Sequence, residues 1–344
     1  MALREGLIFG SGNPLLDISC KVELEFLEKY NLKSNSAILG DDSHLQIYED
    51  IKKNHNSEIE YIPGGSCQNS LRTASWILKY PNAATFVGCI GRDHNADIMK
   101  EKAKEVGLYT AYQVTDKAST GTCAVLITGN DRSMVAHLAA ANLFTSDHMD
   151  NPEIWSLVEK AKIIYTTGFF FTVSPDSIMK LARFALENDR PFSINLSAPF
   201  ISMFYGDKLK EALPYVDIIF GNDDEAMTFS KSILGKESTN IEEIAKEISN
   251  LPKLNDKKRV VIITQADKPV IYVVGDKVMQ IPVPPIEAEK IIDTNGAGDA
   301  FVGGFLAQFV QDKDIEKCID CGVWASGLII QRSGCTFPNE MTYQ

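Results

Sequence analysis

The sequence predicts an α/β fold, a doubly wound and mostly parallel sheet with helices on both faces, plus a small α/β lid. Near-continuous apolar runs, such as residues 163–166 and 192–196, are typical of strands buried on both faces. Helical stretches follow most of these runs, as the crossovers of a parallel sheet require. Between residues 112 and 137, β segments follow one another through tight turns, which indicates a second sheet.

Charge and composition exclude several classes of partner. The 344 residues include 34 Lys+Arg and 46 Asp+Glu, a net charge of -12, which argues against nucleic acid or an anionic membrane. No apolar run is as long as a spanning helix, and the first residues lack the pattern of a signal peptide. Seven cysteines, an odd number, do not suggest a disulfide framework. We expect a soluble, cytoplasmic monomer, with a nuclear fraction left open.

The first predicted strand, residues 7–9, runs into a glycine turn. A dinucleotide-binding fingerprint is excluded there, because Leu15 stands where the third glycine belongs and Pro14 interrupts the helix. Residues 17–23 then alternate between apolar and polar, as in a strand with one buried face. Asp17 follows the turn at the point where ligands of open α/β sheets gather.

A second glycine turn, Gly64-Gly65, precedes a predicted helix that carries Asn69 in its first turn. Two glycines at a helix start can be ordinary turn chemistry. They can also let a ligand lie against bare backbone, with Asn69 facing the same side.

The β segments of residues 112–137, together with the alternating segment near residues 18–23, predict the small separate sheet. We interpret it as a lid over the main domain. The predicted large domain comprises residues 1–15, 41–111 and 138–344, and the lid comprises residues 16–40 and 112–137. Arg132 ends the turn of residues 129–132, where an arginine is a solvated surface cation unless the lid closes.

Three acidic residues follow the strand of residues 216–220. Acids at this position are favoured at a helix N-terminus by the helix dipole. Asn222 and Glu225 are three residues apart, however, so both could face a hydrated Mg²⁺.

Residues 293–304 predict a turn that leads into a helix N-terminus. The first N–H groups of a helix have no partner within it, and with the helix dipole they form an anion site. Asp299 places a carboxylate where the anion would lie. The repulsion between the two negative charges is unfavourable unless the carboxylate has a role, such as removing a proton from an attacking hydroxyl. A plain glycine-rich cap is the alternative. Combined with the other sites, the pattern indicates phosphoryl transfer to an alcohol.

Two motifs resemble the signatures of the ribokinase-like (PfkB-type) carbohydrate kinases. Asp293-Thr294-Asn295-Gly296-Ala297-Gly298-Asp299 is similar to the C-terminal signature, and Gly64-Gly65 with Asn69 is similar to the N-terminal one. Residues 13–18, 68–70, 120–124, 138–142, 168–170, 195–201 and 334–338 resemble the branch of that family that phosphorylates adenosine. The resemblance extends from residue 13 to residue 338.

The resemblance implies ATP-dependent phosphorylation of the adenosine 5′-hydroxyl, giving AMP and ADP, as in purine salvage, with Mg²⁺ as cofactor. Asp299 would be the general base and Arg132 a partner of phosphate charge. The anion hole would be formed by Gly296, Ala297, Gly298 and Asp299. Asp17 would hold the ribose hydroxyls with Gly64, Gly65 and Asn69.

The resemblance also assigns the remaining binding residues. The purine would be surrounded by Asn13, Leu15, Leu39, Cys123, Met134, Ala136, Phe170 and Phe200. The nucleotide would contact Asn195, Asn222, Thr264, Asn295, Gly296 and Gly298. Mg²⁺ would be held by Asn222 and Glu225.

Two alternatives to an adenosine-phosphorylating enzyme stay open: a kinase of the same fold for another nucleoside or sugar, and a nucleoside-binding regulatory protein without catalysis. The apolar residues Leu15, Phe170 and Phe200 favour a purine over a bare sugar. The joint presence of Asp299, Arg132, Asn222 and Glu225 favours an enzyme.

Overall fold

The structure, a computed structural model, describes residues 3–34, 36–55, 59–129 and 131–343. Asn130, in the turn predicted at residues 129–132, lies outside them. The strands are β1 (Ile8–Ser11), β2 (Leu15–Lys21), β3 (Ala37–Leu39), β4 (Glu60–Gly64), β5 (Ala84–Val87), β6 (Cys89–Ile90), β7 (Tyr109–Thr110), β8 (Gln113–Val114), β9 (Thr122–Thr128), β10 (Asp131–His137), β11 (Ile163–Thr167), β12 (Phe192–Asn195), β13 (Ile218–Asn222), β14 (Val260–Gln265), β15 (Lys268–Val274) and β16 (Lys277–Ile281). The helices are α1 (Leu24–Lys29), α2 (Gln46–His55), α3 (Ser66–Leu78), α4 (His94–Glu105), α5 (Pro152–Lys160), α6 (Pro175–Glu187), α7 (Pro199–Phe204), α8 (Gly206–Ala212), α9 (Asp223–Phe229), α10 (Ile241–Ser249), α11 (Ala297–Phe309) and α12 (Ile315–Ile329).

The large sheet has nine strands in the order β16-β15-β14-β13-β12-β11-β1-β5-β7. All neighbours from β14 to β7 are parallel, and the pairs β14–β15 and β15–β16 are antiparallel. The predicted doubly wound, mostly parallel sheet is therefore confirmed. Apolar side chains cover both faces: Ile164 packs in one buried cluster, while its neighbours Ile163 and Tyr165 pack in another. This alternation explains the near-continuous apolar runs.

The small sheet has five strands in the order β3-β10-β9-β2-β4. It confirms the predicted second sheet. The small sheet has its own buried core, which is formed by Cys20 and Leu126 of the sheet, Leu27 of α1, and Ile47 and Ile51 of α2. The predicted boundaries placed residues 41–111 in the large domain. In the structure, β4 is a strand of the small sheet and α2 packs in the core of that sheet. The physical reason is that β4 pairs with β2 in antiparallel register, Asp17 opposite Ile62, so the chain returns to the large domain only at α3.

Helices α3, α11 and α12 pack closely beside the large sheet because glycine stands at their contacts. A Cβ atom on Gly303 of α11 would lie 2.5 Å from the backbone oxygen of Ser70 in α3. On Gly304 it would lie 2.6 Å from the backbone oxygen of Cys321 in α12. Both distances are shorter than any real contact, so these glycines set the spacing of the three helices. None of the helices in the described ranges has the length and apolar character needed to span a membrane.

Candidate active site

The N-terminus of α11 is built as an anion site. Gly296 precedes the helix with φ +78°, a left-handed conformation that favours glycine. The turn is held by Asp293, whose carboxylate accepts hydrogen bonds from the N–H groups of Asn295 (2.9 Å) and Gly334 (3.0 Å). A Cβ atom on Gly298 would meet nothing within 4 Å, so the space in front of this turn is open.

The N–H groups of this turn are not equivalent. The N–H of Ala297 donates to the carbonyl of Thr294 at 3.3 Å, so it is already engaged within the turn. Those of Gly298 and Asp299 lie in the first helical turn, where no carbonyl of the helix can accept them. These two N–H groups are therefore the donors best placed for an incoming anion.

The Asp299 carboxylate is fixed by two side chains of α3. Ser66 Oγ donates to Oδ1 at 2.6 Å, and Asn69 Nδ2 donates to Oδ2 at 3.1 Å. Burial raises the pKa of Asp299 to about 6, while both hydrogen bonds act in the opposite direction. The carboxylate is therefore ionised at neutral pH, oriented, and able to accept a proton.

Asp17 is a second carboxylate in the same cleft. It lies on β2 of the small sheet, against the bare backbone of Gly64: a Cβ atom there would be 2.2 Å from Asp17 Oδ1. Burial, followed by the negative charge of Asp299, raises the pKa of Asp17 to about 8. An ionised Asp17 in this position calls for hydrogen-bond donors, which a pair of ligand hydroxyls can supply.

Six of the residues assigned to the sugar and purine come together on one face of the small sheet: Leu15, Asp17, Leu39, Cys123, Met134 and Ala136. Asp17 pairs in register with Cys123, Cys123 with Ala136, and Ala136 with Leu39. Leu15 and Met134, each two residues from a member of this row, share its face because side chains alternate along a strand. Asp17, Asn69, Met134, Asn295 and Gly296 line a single cavity between this face and α11.

The turn after β1 and the segment after β11 close the cleft on the side of the large domain. Gly65, with φ +87°, lets its backbone approach the carbonyl of Asn13: a Cβ atom would be 2.2 Å away. Asn13 Nδ2 donates to the carbonyl of Phe169 at 3.2 Å, and its buried Oδ1 has no partner. The ring centroids of Phe169 and Phe200 are 6.0 Å apart, and both side chains are half-buried.

The prediction that Phe170 contacts the purine is wrong. Its side chain is fully buried and packs against Phe144 in the core, with ring centroids 5.3 Å apart. Successive side chains of the 3₁₀ turn Gly168–Thr172 point about 120° apart, so only one of two adjacent phenylalanines can face the cleft. Phe169 instead is half-buried beside Phe200.

Arg132 connects the small sheet to the loop before α11. Its Nη2 atom donates to the carbonyl of Ile292 at 2.8 Å, and its Nε atom lies 3.7 Å from Asp293 Oδ1. The side chain is 8% exposed, so Arg132 is no solvated surface cation. It reaches from β10 to the loop that leads into the anion site, so the small sheet is closed over the cleft.

The residues assigned to the nucleotide follow the carboxyl ends of neighbouring strands. Asn195 ends β12 and accepts a hydrogen bond from the N–H of Ser197 at 3.0 Å. Asn222 ends β13 and pairs in register with Thr264 of β14. Parallel strands end at the same edge of a sheet, where ligands of doubly wound folds bind.

Asn222 and Glu225 form the capping box of α9. Asn222 Oδ1 accepts from the N–H of Glu225 at 2.8 Å, and Glu225 Oε2 accepts from the N–H of Asn222 at 3.1 Å. The capping box uses only Oε2 of Glu225 and leaves Oε1 available.

The surroundings of Glu225 are negatively charged. Burial first, and then the negative charges of Asp299, Asp224 and Asp223, raise the pKa of Glu225 to about 7. Carboxylate and amide oxygens in such a negative setting fit a hydrated Mg²⁺. No cluster of three or more His, Cys, Asp or Glu residues suited to a metal occurs within the described ranges.

Sequence reasoning missed three residues of this site: Ser66, Phe169 and Arg72. Ser66 lies between the glycine pair and Asn69, on the side of α3 that faces α11, a position that could have suggested it. Arg72 is three residues after Asn69 and donates to Asn69 Oδ1 at 3.4 Å. Arg72 is the only charged residue of α3, and this was the available signal.

Known proteins are similar to this chain over nearly its whole length. The profile described as "pfkB family carbohydrate kinase" matches residues 26–342. Adenosine kinase 2 of Arabidopsis thaliana is 48% identical over 337 residues, covering 98% of this chain and 97% of the relative.

Two solved structures have the same fold over nearly their full length. Anopheles gambiae adenosine kinase in complex with P1,P4-di(adenosine-5) tetraphosphate superposes with a TM-score of 0.94 and 47% identity, covering 99% of this chain and 100% of the other. Adenosine kinase from Schistosoma mansoni in complex with 2-fluoroadenosine superposes with a TM-score of 0.92 and 36% identity, covering 98% and 99%. This chain belongs to the pfkB family of carbohydrate kinases.

Proposed function

We propose that this chain is an adenosine kinase, which transfers the γ-phosphoryl group of ATP to the 5′-hydroxyl of adenosine and releases AMP and ADP. One observation carries the proposal: the carboxylate of Asp299, at the start of an anion-binding helix, is oriented by Ser66 and Asn69, and Asn69 lines the same cavity as Asp17. The full-length similarity to adenosine kinases, one of them solved with 2-fluoroadenosine, supports the choice of acceptor.

Asp299 acts as the general base. The 5′-hydroxyl of adenosine gives its proton to the carboxylate while its oxygen forms a bond to the γ-phosphorus of ATP. The bond from that phosphorus to the bridging oxygen breaks, and ADP leaves with the electron pair. A base whose pKa is about 6 is ionised at neutral pH and still basic enough to accept this proton.

Asp17 recognises the ribose. An ionised carboxylate against the backbone of Gly64 can accept one hydrogen bond from each of the 2′- and 3′-hydroxyls. A sugar without one of them leaves part of a buried charge unpaired, which costs about 1–3 kcal/mol. The residues in register with Asp17 across the small sheet, and the Phe169–Phe200 pair, supply apolar walls for a flat base.

Charge on the migrating phosphoryl group is met from two sides. The N–H groups of Gly298 and Asp299 approach it from the helix, and Arg132 approaches it from the closed small sheet. Positioning and charge stabilisation are what phosphoryl transfer needs most. A closed lid also excludes water, so that ATP is not hydrolysed.

Asn195, Asn222 and Thr264, at the carboxyl edge of the large sheet, form the nucleotide side of the site. Asn222 and Glu225 would hold Mg²⁺, through water where their capping hydrogen bonds persist. Bound Mg²⁺ offsets the negative charge of the ATP phosphates. Glu225 would therefore orient the metal that accompanies the nucleotide, while its backbone N–H keeps α9 capped.

A panel assay tests the proposal. ADP release from Mg-ATP is measured with adenosine, inosine, guanosine, ribose and fructose as acceptors, and AMP formation from adenosine is verified directly. We expect kcat/KM to be highest for adenosine. Equal kcat/KM for ribose, or no turnover with any acceptor, would contradict the proposal.

A further inference from the structure

Arg72 is a buried cation of α3 that the proposed reaction does not use. Its residue is 4% exposed, and its Cζ atom lies 5.2 Å from the ring centroid of Phe337. The Nη1 atom lies within hydrogen-bond distance of three acceptors: the carbonyl of Pro63 (3.0 Å), the carbonyl of Cys335 (3.2 Å) and Asn69 Oδ1 (3.4 Å). Burying a guanidinium costs desolvation free energy, which these hydrogen bonds offset, so we expect Arg72 to have a role at this position.

Each acceptor belongs to a different wall of the active site. Pro63 precedes Gly64, against which the Asp17 carboxylate rests. Asn69 donates its Nδ2 to Asp299, so its Oδ1 must face the other way, towards Arg72. A single side chain therefore touches both the ribose wall and the residue that orients the base.

The third acceptor leads to the anion site. Cys335 follows Gly334, whose N–H donates to Asp293 in the turn before α11. A Cβ atom on Gly296 would lie 3.4 Å from Cys335 Cβ, so this segment backs the glycine turn. Arg72 thus also fixes the segment behind the anion site.

Arg72 also acts through its charge. Asp17 is faced by Asp299 of α11 and Asp293 of the preceding loop, which raise its pKa, and by Arg72 of α3, which lowers it. Tyr48, Cys123 and Cys335, the other titratable groups near Asp17, stay neutral at physiological pH because burial raises the pKa of each. Around Arg72 itself lie Tyr112 and Glu105 as well. Arg72 is therefore the cation that most directly favours an ionised Asp17.

We propose that Arg72 is a positioning residue for phosphoryl transfer: it fixes the Asn69 amide with its nitrogen towards Asp299 and holds the ribose loop and the segment behind the anion site in place. It contacts no reacting atom. The inference rests on the proposed function, because its consequence is the geometry between the base and the ribose.

A double-mutant cycle separates this role from a merely structural one. Arg72→Lys keeps the charge, but its side chain is one bond shorter, so the ammonium cannot reach the position at which Nη1 meets all three acceptors. We expect kcat for adenosine to fall by about 10- to 100-fold, since a small misplacement of reacting groups has that effect. In an Asn69→Ala background the same substitution should lower kcat by a clearly smaller factor, because Arg72 acts largely through Asn69.

A second variant separates the charge from the geometry. Arg72→Met removes the cation that favours an ionised Asp17, the form that binds the ribose. The pH at which adenosine binding becomes half-maximal should therefore move upwards relative to the wild type, while Arg72→Lys should leave it unchanged. Adenosine binding is measured without ATP between pH 5 and 9.

Arg259→Lys is the matched control. Arg259 is also buried, and it donates to five backbone carbonyls, those of Leu213, Val216, Ile248, Leu251 and Pro252. We expect this variant to lower Tm without changing the pH dependence or the coupling to Asn69. Wild-type protein is assayed first, and no turnover of adenosine by it would overturn the proposed function.

With an active wild type, an Arg72→Lys effect of the same size in both backgrounds would overturn the inference about Arg72 alone. So would a kcat within about twofold of the wild type. If Arg72→Met does not fold, the cycle with Arg72→Lys still decides.

Discussion

Two carboxylates of the same cleft are adjusted to different tasks by their surroundings. Asp299 accepts hydrogen bonds from Ser66 and Asn69, which keep it ionised although it is buried. Asp17 lies against bare backbone, and burial raises its pKa to about 8. The first therefore suits a base that is ready before the substrate arrives, and the second a receptor that gains most from hydroxyl donors.

Replacing the base should separate binding from chemistry. Asp299→Asn keeps the shape of the side chain but cannot accept the proton, so we expect kcat to fall by at least about 10²-fold. Adenosine should bind with an affinity close to that of the wild type. Steady-state kinetics and equilibrium binding measure the two effects, with Asp97→Asn, an exposed acid of α4, as the control. Near-normal turnover would exclude Asp299 as the base.

The pH dependence should report Asp299 as well. Its ionised form is the active one, so kcat at saturating adenosine, where the ribose already occupies Asp17, should rise with pH through an apparent pKa of about 6. Ser66→Ala removes a hydrogen bond that lowers this pKa, so the rise should move to higher pH. Ser75→Ala on the same helix is the control, because the Ser75 hydroxyl is buried without a partner. A shift to lower pH in Ser66→Ala would contradict the assignment.

Asp17 should make the ligand-free protein less stable as the pH rises. Its folded-state pKa, about 8, is above the ordinary value of 3.8, so the folded state keeps a proton that the unfolded chain has lost. The contribution of this protonated carboxyl to the stability of the folded state is therefore lost progressively between about pH 4 and pH 8. Asp17→Asn should raise Tm by at least about 3 °C at pH 8.5, with little change at pH 4, while raising the KM for adenosine.

Thermal melts at the two pH values, without ligand, measure this effect. The same gain in Tm at both pH values would show that the charge of Asp17 is not its cause. An unchanged KM for adenosine would remove Asp17 from the ribose site.

Sequence reasoning named most of the side chains that the structure brings together in the cleft, but not the contacts between them. The glycine pair, Asn69 and Asp299 stand in recognisable motifs, whereas the hydrogen bond from Ser66 to Asp299 joins residues 233 positions apart. Phe169 and Phe170 are chemically identical, and only the phase of a 3₁₀ turn decides which one faces the cleft. A sequence motif does not show which of two adjacent side chains points into the cleft.

At the scale of elements, the site depends on how closely α3 approaches α11. Gly303→Ala would place a Cβ atom 2.5 Å from Ser70, so α3 must move away from α11. We expect kcat to fall by about 10²-fold, because Ser66 and Asn69 then lose their geometry on Asp299. Gly327→Ala in α12 is the matched control, since its Cβ atom would meet only the tip of Ile286, at 3.3 Å. Turnover by Gly303→Ala equal to that of the control would contradict the prediction.

Element types followed well from local pattern, and element partners did not. The buried strands of the large sheet were predicted because both of their faces are covered. The hairpin of β15 and β16 was missed: β15 has an apolar run at residues 270–274, but β16 mixes polar and apolar residues and has no long apolar run. Residues 60–64 were predicted as a glycine turn within the large domain, but they form strand β4 of the small sheet. Five residues that read Glu-Tyr-Ile-Pro-Gly do not reveal which sheet edge they join.

At the scale of the whole molecule, the reactive groups are divided between two layers. Asp17 belongs to the small sheet, while Asp299 and the glycine turn belong to the large domain. Arg132 crosses between them and contacts the loop before the turn. The doubly wound architecture could be predicted from sequence, whereas the closed placement of the small sheet depends on contacts such as this one.

Removing Arg132 should affect catalysis more than binding. Arg132→Gln keeps a polar side chain but loses the charge that meets the phosphoryl group, so we expect kcat to fall by about 10²- to 10³-fold. The affinity for adenosine alone should stay within a few-fold of the wild type. Arg92→Gln, an exposed arginine paired with Asp116, is the control. A loss confined to adenosine affinity, with normal kcat, would place Arg132 in the nucleoside site instead.

The distribution of the site along the chain has a consequence for biosynthesis. The ribose wall comes from residues 15–64, but the base, the glycine turn and the segment behind it come from residues 293–335. Domains fold progressively as the ribosome delivers them, and contacts between distant segments form late. A nascent chain can therefore build much of its scaffold early, yet it acquires a complete active site only after its last fifth has emerged. Prematurely ended chains should be inert rather than weakly active.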